Sequence, residues 1–416
     1  MQKILLLIAS LFYFNFILAE NEIKSWQGIH ETPLSCLEQQ FAEPPVEFAN
    51  HVIWGWEGKM DKKTICNDLD SIKKKGFRAV IFEAGYKLPF KYLSEEWFKA
   101  IRTGVLEAKK RGMKVWIIDE GKYPSGFAGG KFSQERPDLR MQALVIGDTI
   151  QIKRGEVMTN HKIAPEIISA VAVSTSGAPN RTVAINNGEI SFNAGLDDWK
   201  VLLVKSDFRT AVTRAVNNPN GGKDATNSLC DYLNPIAVQQ FIDWTHEQYK
   251  KYLGKELGTT VLGFRGDEPD YAHLPWTPSI VQTFKETKGY DPTPYLASFF
   301  TASPTIQEQR VKADYWDVWS SLFATHFFKL QADWCAANGV AHITHLNKEH
   351  EMPACVKAEG DYFRNLSKVQ IPGVDAIWNQ IWPGTLNDFP KLASSVAHVY
   401  GKPRAFSESF AAYHIS

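Results

Sequence analysis

The chain has 416 residues, 44% of them apolar and 12% aromatic, with 46 basic and 46 acidic side chains. That content supports a large buried core, either one barrel-sized domain or two average ones. The balanced charge leaves no strong field to attract nucleic acid or an anionic membrane surface.

The N-terminus reads as a targeting segment. Lys3 precedes an apolar run from Ile4, and Ala19 before Glu20 offers a small residue at a cleavage point. The run is short for a spanning helix and is interrupted by Ser10 and Asn15, so the expectation is a signal peptide over 1–19 and export to the periplasm or beyond. Nothing after Glu20 reads as membrane-inserting. Residues 20–45 form a polar lead-in without a clear period, and 46–416 are expected to form the catalytic domain.

Within that domain His51–Gly58 reads as a first strand. A helix follows over Lys62–Lys75, with Ile65, Leu69 and Ile72 on one face and Gly76 as its stop. Phe77–Gly85 is a second strand ending in Glu83. A helix over Ser94–Arg111 leads to a third strand, Lys114–Gly121, which ends in Asp119 and Glu120. Strand and helix alternating at this spacing imply right-handed βαβ units and a parallel sheet.

The alternation then breaks. After the glycine-rich turn Tyr123–Gly130, residues from about 141 to 199 hold short β-type runs, among them one containing Asn187-Gly188, a strong hairpin signal. This is expected to be a small antiparallel insertion after the third strand. Lys200–Phe208 (KVLLVKSDF) fits either its last strand or the fourth strand of the main sheet.

Beyond it, Asn234-Pro235 opens a helix running to Tyr252, with Pro where a missing N–H is harmless. Val261–Phe264 is a buried strand that delivers Asp267 and Glu268 before Pro269. A long helical region to Asn338 carries Tyr315, Trp316, Trp319, Phe323 and Phe327 at helical spacing, as a core-facing stripe. Ala341–Leu346, Val374–Trp378 and Arg404–Ser409 are the remaining strands. Eight units predict an α/β fold of the (β/α)8 TIM-barrel type. A closing eighth helix is missing, so a partner chain or further C-terminal domains are expected to cover the open flank.

Acidic side chains gather where these strands end: Glu83, Asp119, Glu120, Asp267, Glu268 and Glu408, joined by His345 and Asp375. In an α/β barrel that is the face where chemistry sits. Trp54, Trp56, Trp276, Trp378 and Trp382 are available as walls. Two carboxyl groups across one pocket suit glycoside hydrolysis, one protonating the leaving oxygen and the other attacking or activating water. Other chemistries fit less well. His345 and His350 are five apart, which is not zincin spacing, and no phosphate loop or G-x-S-x-G elbow is present. Cys36, Cys66, Cys230, Cys335 and Cys355 have no close pair and form no disulfide framework.

The segments Trp116–Gly130 (WIIDEGKYPSGFAGG), DYLNPIAVQQFI, GFRGDEP, WCAANGVAHITHL and FSESFAAY together resemble glycoside hydrolase family 106, the α-L-rhamnosidase group. The resemblance implies a (β/α)8 catalytic domain, inverting hydrolysis of terminal α-L-rhamnosides on polysaccharides or glycosides, and dependence on Ca2+, with no organic cofactor. Carried over residue by residue, it implies a catalytic pair of Glu268 as acid and Glu408 as base, with Glu359 a further acidic candidate. Asp119, Glu120, Asp267, His345, Asp375, Trp54 and Trp378 would then bind the sugar or a cation; the metal ligands are left open. The alternatives are a non-catalytic carbohydrate-binding homologue and a barrel glycosidase of other, β-galactosidase-like specificity.

Overall fold

The computed structural model describes residues 33–210, 213–214, 223–224, 228–271, 274–302, 304–377, 380–381, 384 and 387–410. The expected leader over 1–19, Trp378 and Trp382 lie outside the described residues. Seven strands make one parallel sheet: β1 (His51–Trp56), β2 (Ala79–Ala84), β3 (Lys114–Ile118), β4 (Val261–Asp267), β5 (Ala341–His345), β6 (Ile371–Asp375) and β7 (Phe406–Glu408). They are hydrogen-bonded in chain order, and every pairing is parallel.

Local chemistry accounts for the crossovers. Asp61 caps helix Lys62–Lys74 by accepting from Thr64 N–H, and Ser94 caps Glu95–Lys110 by accepting from Trp97 N–H. Both helices close on basic residues that complement the negative end of the helix dipole. Each lays an apolar stripe, Ile65 and Leu69 on one and Trp97, Ile101 and Val105 on the other, against the outer face of the sheet.

The inner face carries a cluster of its own. Ile81, Trp116, Ile118, Leu262, Ala341, Ile343 and Ile371, with Phe406 packed on them, come from β2 through β7. Side chains from strands so far apart in the sheet touch only if it curls around an interior. At the β6–β7 seam Gly373 makes this approach feasible: a Cβ there would fall 2.2 Å from the Phe406 ring.

The expected last strand, Arg404–Ser409, is in this sheet as β7, but the candidate fourth strand is not. Lys200–Phe208 belongs to Trp199–Phe208, which pairs antiparallel with Gln142–Ile152 on one side and Ile167–Ser174 on the other. Leu202 and Val204 pack into one core cluster, and Val201 and Leu203 into another. The strand is therefore apolar on both faces, as a central strand of the insertion must be, and its partners are near in sequence, so it pairs locally. β3 consequently bonds directly to β4. In the insertion's second small sheet Ile185–Asn186 pairs with Glu189–Asn193 across Asn187 and Gly188, both at positive φ (51° and 77°) as a two-residue hairpin turn demands.

Two smaller readings change as well. Leu34–Ala42, inside the lead-in, is a helix with no buried residue. The aromatic stripe is a continuous helical run, Ile306–Leu322, Phe323–Phe328 and Lys329–Ala337, with Tyr315, Trp319, Phe323 and Phe327 buried. No described helix is long and apolar enough to cross a membrane.

Candidate active site

Strand periodicity builds the site. Residues two apart share a face, so Ala341 and Ile343 on the inner face place His345 there; Ile371 and Gly373 place Asp375, and Phe406 places Glu408. Arg265 and Asp267 come from β4 in the same way, side by side with Ile343 and His345 of β5. Glu268 follows at φ 41°, a left-handed backbone that a non-glycine residue adopts only when its surroundings hold it there.

These side chains converge on one ring. His345 Nε2 lies 3.4 Å from Glu408 Oε2, 3.5 Å from Asp267 Oδ1 and 4.0 Å from Glu268 Oε1. The Glu268 Oε1 and Glu408 Oε2 atoms are therefore at most about 7.4 Å apart, a bound that spans both the roughly 5–5.5 Å of retaining and the lower part of the roughly 6.5–9.5 Å of inverting glycosidases. Arg265 Nη2 donates to Glu408 Oε2, lies 3.5 Å from Asp267 Oδ1 and approaches His345 Nδ1 at 3.4 Å. On the far side Asn347 Nδ2 donates to Glu268 Oε2 over 3.4 Å.

The electrostatics separate the two glutamates. Burial, reinforced by the charges of Asp267, Asp375 and Glu408, pushes Glu268 up to about 9. Burial also raises Glu408, but Arg265 opposes it and the carboxyl reaches only about 7. Asp375 rises to about 6 and Glu349 to about 8, each chiefly through burial. His345 falls to about 3 because its ring is sealed and Arg265 stands beside it, so it stays neutral among the carboxylates. At neutral pH Glu268 holds a proton that Glu408 has begun to lose.

The sequence profile of the glycoside hydrolase 106 family, described as alpha-L-rhamnosidase, matches residues 181–416, which include β4 through β7 and every residue just named. The chain belongs to this family. Superposition on the structure of a rhamnosidase from Novosphingobium sp. PP1Y gives a TM-score of 0.63 at 16% identity, over 92% of this chain and 53% of that one. A provisionally named beta-glucuronidase of Formosa agariphila is 24% identical over 90% of this chain. The chain spans about a third of that protein (35%) and about half of the rhamnosidase.

Within this family-106 chain, the residues expected from sequence divide into three groups. Asp267, Glu268, His345, Asp375 and Glu408 gather in one cluster, where ligand atoms of Asp267, His345 and Glu408, and of Glu268, His345 and Asp375, form two triads each spanning no more than 4.8 Å. Asp119, Glu120 and Glu359 are fully buried and stand outside these triads. Glu120 accepts from the N–H groups of Gly121, Ala128 and Gly129, so its carboxylate folds the glycine-rich turn rather than facing a ligand. Asp119 accepts from Ser125 Oγ over 2.7 Å, and that hydroxyl accepts from Asp267 N–H over 2.7 Å, which positions the end of β4. Glu359 accepts from Asn347 N–H and holds the loop that carries Asn347 to Glu268.

Trp54 forms the third group. With Val52 and Trp56 it faces outward and packs against Phe82 under the helix layer, because β1 alternates and its inner face belongs to His51, Ile53 and Gly55. It is not a wall of the pocket.

Sequence reasoning undervalued three residues. Arg265 was legible only as a cation near the acids; its inward direction follows from sharing a face with Asp267. Glu349, in a His-rich stretch, accepts from Leu346 and Asp375 N–H groups over 2.9 and 3.2 Å and adds charge near Glu268. Lys122 pairs with Glu83 over 2.9 Å at the end of β2.

Proposed function

We propose that this chain is the catalytic part of an exported inverting glycosidase that removes terminal α-L-rhamnosyl or similar deoxy-sugar residues from polysaccharides or glycosides. One observation carries the reading: Glu268 and Glu408 flank the same His345 nitrogen, yet only Glu408 is held by Arg265. Glu268, kept protonated by burial and neighbouring carboxylates, is the general acid that delivers its proton to the leaving glycosidic oxygen. Glu408, held toward its ionised form by Arg265, is the base that takes a proton from the attacking water. His345 stays neutral and aligns Glu408, and Asp267 and Asp375 face the sugar or a cation. The rhamnosyl specificity and the inverting course rest on family membership. The full (β/α)8 closure, the domain division at 20–45 and 46–416, and additional domains or a partner covering the β1–β7 flank belong to the same proposal. Export rests on the apolar N-terminal run.

The donor set fits a hard divalent cation. Asp375 Oδ1 and Glu349 Oε2 are buried without a hydrogen-bond partner, and Asp267 lies close enough to Asp375 to raise its pKa. Calcium takes six to eight oxygen ligands, so Asp267, Asp375 and Glu349 are the carboxylates that would hold it, leaving Glu268 and Glu408 to the proton transfers. When bound it would supply charge that orients sugar hydroxyls and lowers neighbouring carboxyl pKa values.

Assaying the protein on aryl α-L-rhamnoside, aryl β-D-glucuronide and aryl β-D-galactoside tests the reading. Turnover of the rhamnoside, lost in both Glu268→Gln and Glu408→Gln, is the expected outcome. Binding without turnover would mean a carbohydrate-binding homologue, and preference for another glycoside would overturn the specificity.

A further inference from the structure

On the opposite face of β5, directed toward the helices rather than the pocket, lies a second cluster with chemistry of its own. His342 of β5, His246 at the start of helix His246–Leu253 and Cys335 of helix Lys329–Ala337 place one ring nitrogen each and a thiol within 4.8 Å of one another. All three are fully or almost fully buried. The cysteine is free.

The nitrogens lie close together and are not satisfied elsewhere. Neither Nδ1 nor Nε2 of His342 has a hydrogen-bond partner, and Nε2 of His246 has none. His246 is oriented through its other nitrogen, 2.9 Å from Thr245 Oγ1. The tautomer that donates Nδ1–H to that hydroxyl leaves Nε2 as a lone pair facing the cluster. Buried polar atoms nearly always find partners, so three orphaned ring nitrogens beside a thiol ask for an occupant. The His342 ring also depends on a glycine: a Cβ on Gly266 would stand 3.3 Å from its Cε1.

We propose that His246, Cys335 and His342 form a three-coordinate site for a soft monovalent cation, Cu(I). A thiolate and two imidazoles are donors that suit copper and zinc. Charge and coordination number choose between the two. One thiolate and Cu(I) cancel, whereas Zn2+ with the same ligands would leave a net positive charge beside the rings of Phe264 and Trp334, 4.2 and 5.2 Å from His246. Structural zinc also takes four protein ligands, and among the described residues no fourth His, Cys, Asp or Glu joins the three. Metal–ligand bonds of about 2.0 to 2.3 Å put trigonal donors about 3.5 to 4 Å apart, so closing the site needs only small side-chain rotations. Binding replaces the Cys335 thiol proton, which leaves to solvent as the sulfur–copper bond forms. Because the ligands are sealed, the ion enters as the chain folds.

The test uses the full chain carrying Cys36→Ser and Cys66→Ser, refolded without oxygen in the presence of Cu(I) held by a chromophoric chelator. The expected result is one copper retained per chain after desalting. X-ray absorption should show one sulfur and two nitrogen neighbours, with a higher Tm than for the metal-free refolded protein. Cys335→Ala, a substitution the core tolerates in volume, should lose at least 100-fold in affinity, and a circular-dichroism spectrum will establish that it has folded. No retained copper in the parent protein, copper retained equally by folded Cys335→Ala, or zinc retained in preference to Cu(I) would each overturn the proposal.

Discussion

Arg265 donates to Glu408 but makes no ion pair with Glu268, although Glu268 follows Arg265 by only three residues, just past the end of β4. Alternation explains it: Arg265 and Asp267 share the inner face, and the left-handed turn at Glu268 sends the next carboxyl to the other side of His345. A basic residue beside the acids could have disabled the acid. Instead, of the two glutamates, it opposes the effect of burial on Glu408.

The first prediction follows from that pairing. We predict that Arg265→Gln raises the Glu408 pKa above about 7, because burial would then act unopposed. The acidic limb of the kcat/KM profile should move to higher pH, with a loss of roughly tenfold or more near pH 6.5 and a smaller loss near pH 8. A uniform loss across the pH range, with no movement of the limb, would assign Arg265 a structural role only.

The parent protein should itself show a bell. Glu408 must be ionised and Glu268 protonated, so the rate should rise through about pH 7 and fall through about pH 9. The two carboxyls titrate as a linked pair, and the limbs report that pair. A profile already falling above pH 6 in the metal-free protein would contradict Glu268 as the acid.

The same burial has a cost in stability with a definite sign. Between its ordinary value and about 9, folded Glu268 holds a proton that the unfolded chain has released, so stability is lost as pH rises through that window. Glu268→Gln removes the penalty. We predict that the variant is inactive, close to the parent in Tm near pH 4, and more stable by on the order of a few kcal/mol near pH 9. Thermal unfolding of the pair at both pH values checks it; a Glu268→Gln protein less stable at pH 9 would show that the carboxylate is satisfied there.

How much of this was legible beforehand depends on which residues carried the information. The order of β1 to β7 followed from period-2 runs bounded by capped helices, and Asp267, His345, Asp375 and Glu408 followed from their place at strand ends. Lys200–Phe208 was ambiguous because a strand apolar on both faces suits a barrel and a central insertion strand equally. Glu120 and Asp119 look the same in sequence as ligand-binding strand-end acids; only the backbone N–H groups of the turn, brought back over them, reveal their role. Trp54 was misplaced for a simpler reason: its face is set by the register of β1 against β2, and the run His51–Trp56 carries large side chains on both faces.

Glu120 supplies a prediction that separates folding from chemistry. Alanine there would strand the N–H groups of Gly121, Ala128 and Gly129, and the turn packs its Phe127 and Ala128 into the main core. We predict that Glu120→Ala costs about 2–4 kcal/mol of stability. Whatever fraction remains folded should bind substrate with nearly unchanged KM, since the carboxyl does not reach the pocket. A variant of normal Tm with a greatly raised KM would return Glu120 to the substrate site.

A divalent cation should reverse the electrostatics described above. With Asp267, Glu268, Asp375 and Glu408 crowded around His345, Arg265 is the positive side chain in contact with this cluster among the described residues. Ca2+ held by Asp267, Asp375 and Glu349 would favour their ionised forms, drawing the raised pKa values of Glu349 and Asp375 down and removing their share of the alkaline loss of stability. We predict that adding Ca2+ to chelator-treated protein raises Tm more at pH 8.5 than at pH 5.5, because protonated carboxyls bind metal weakly. Asp375→Asn should weaken the effect at least tenfold in the calcium concentration required. A calcium-induced shift in Tm that is equal at both pH values, or undiminished in Asp375→Asn, would place the ion away from this cluster.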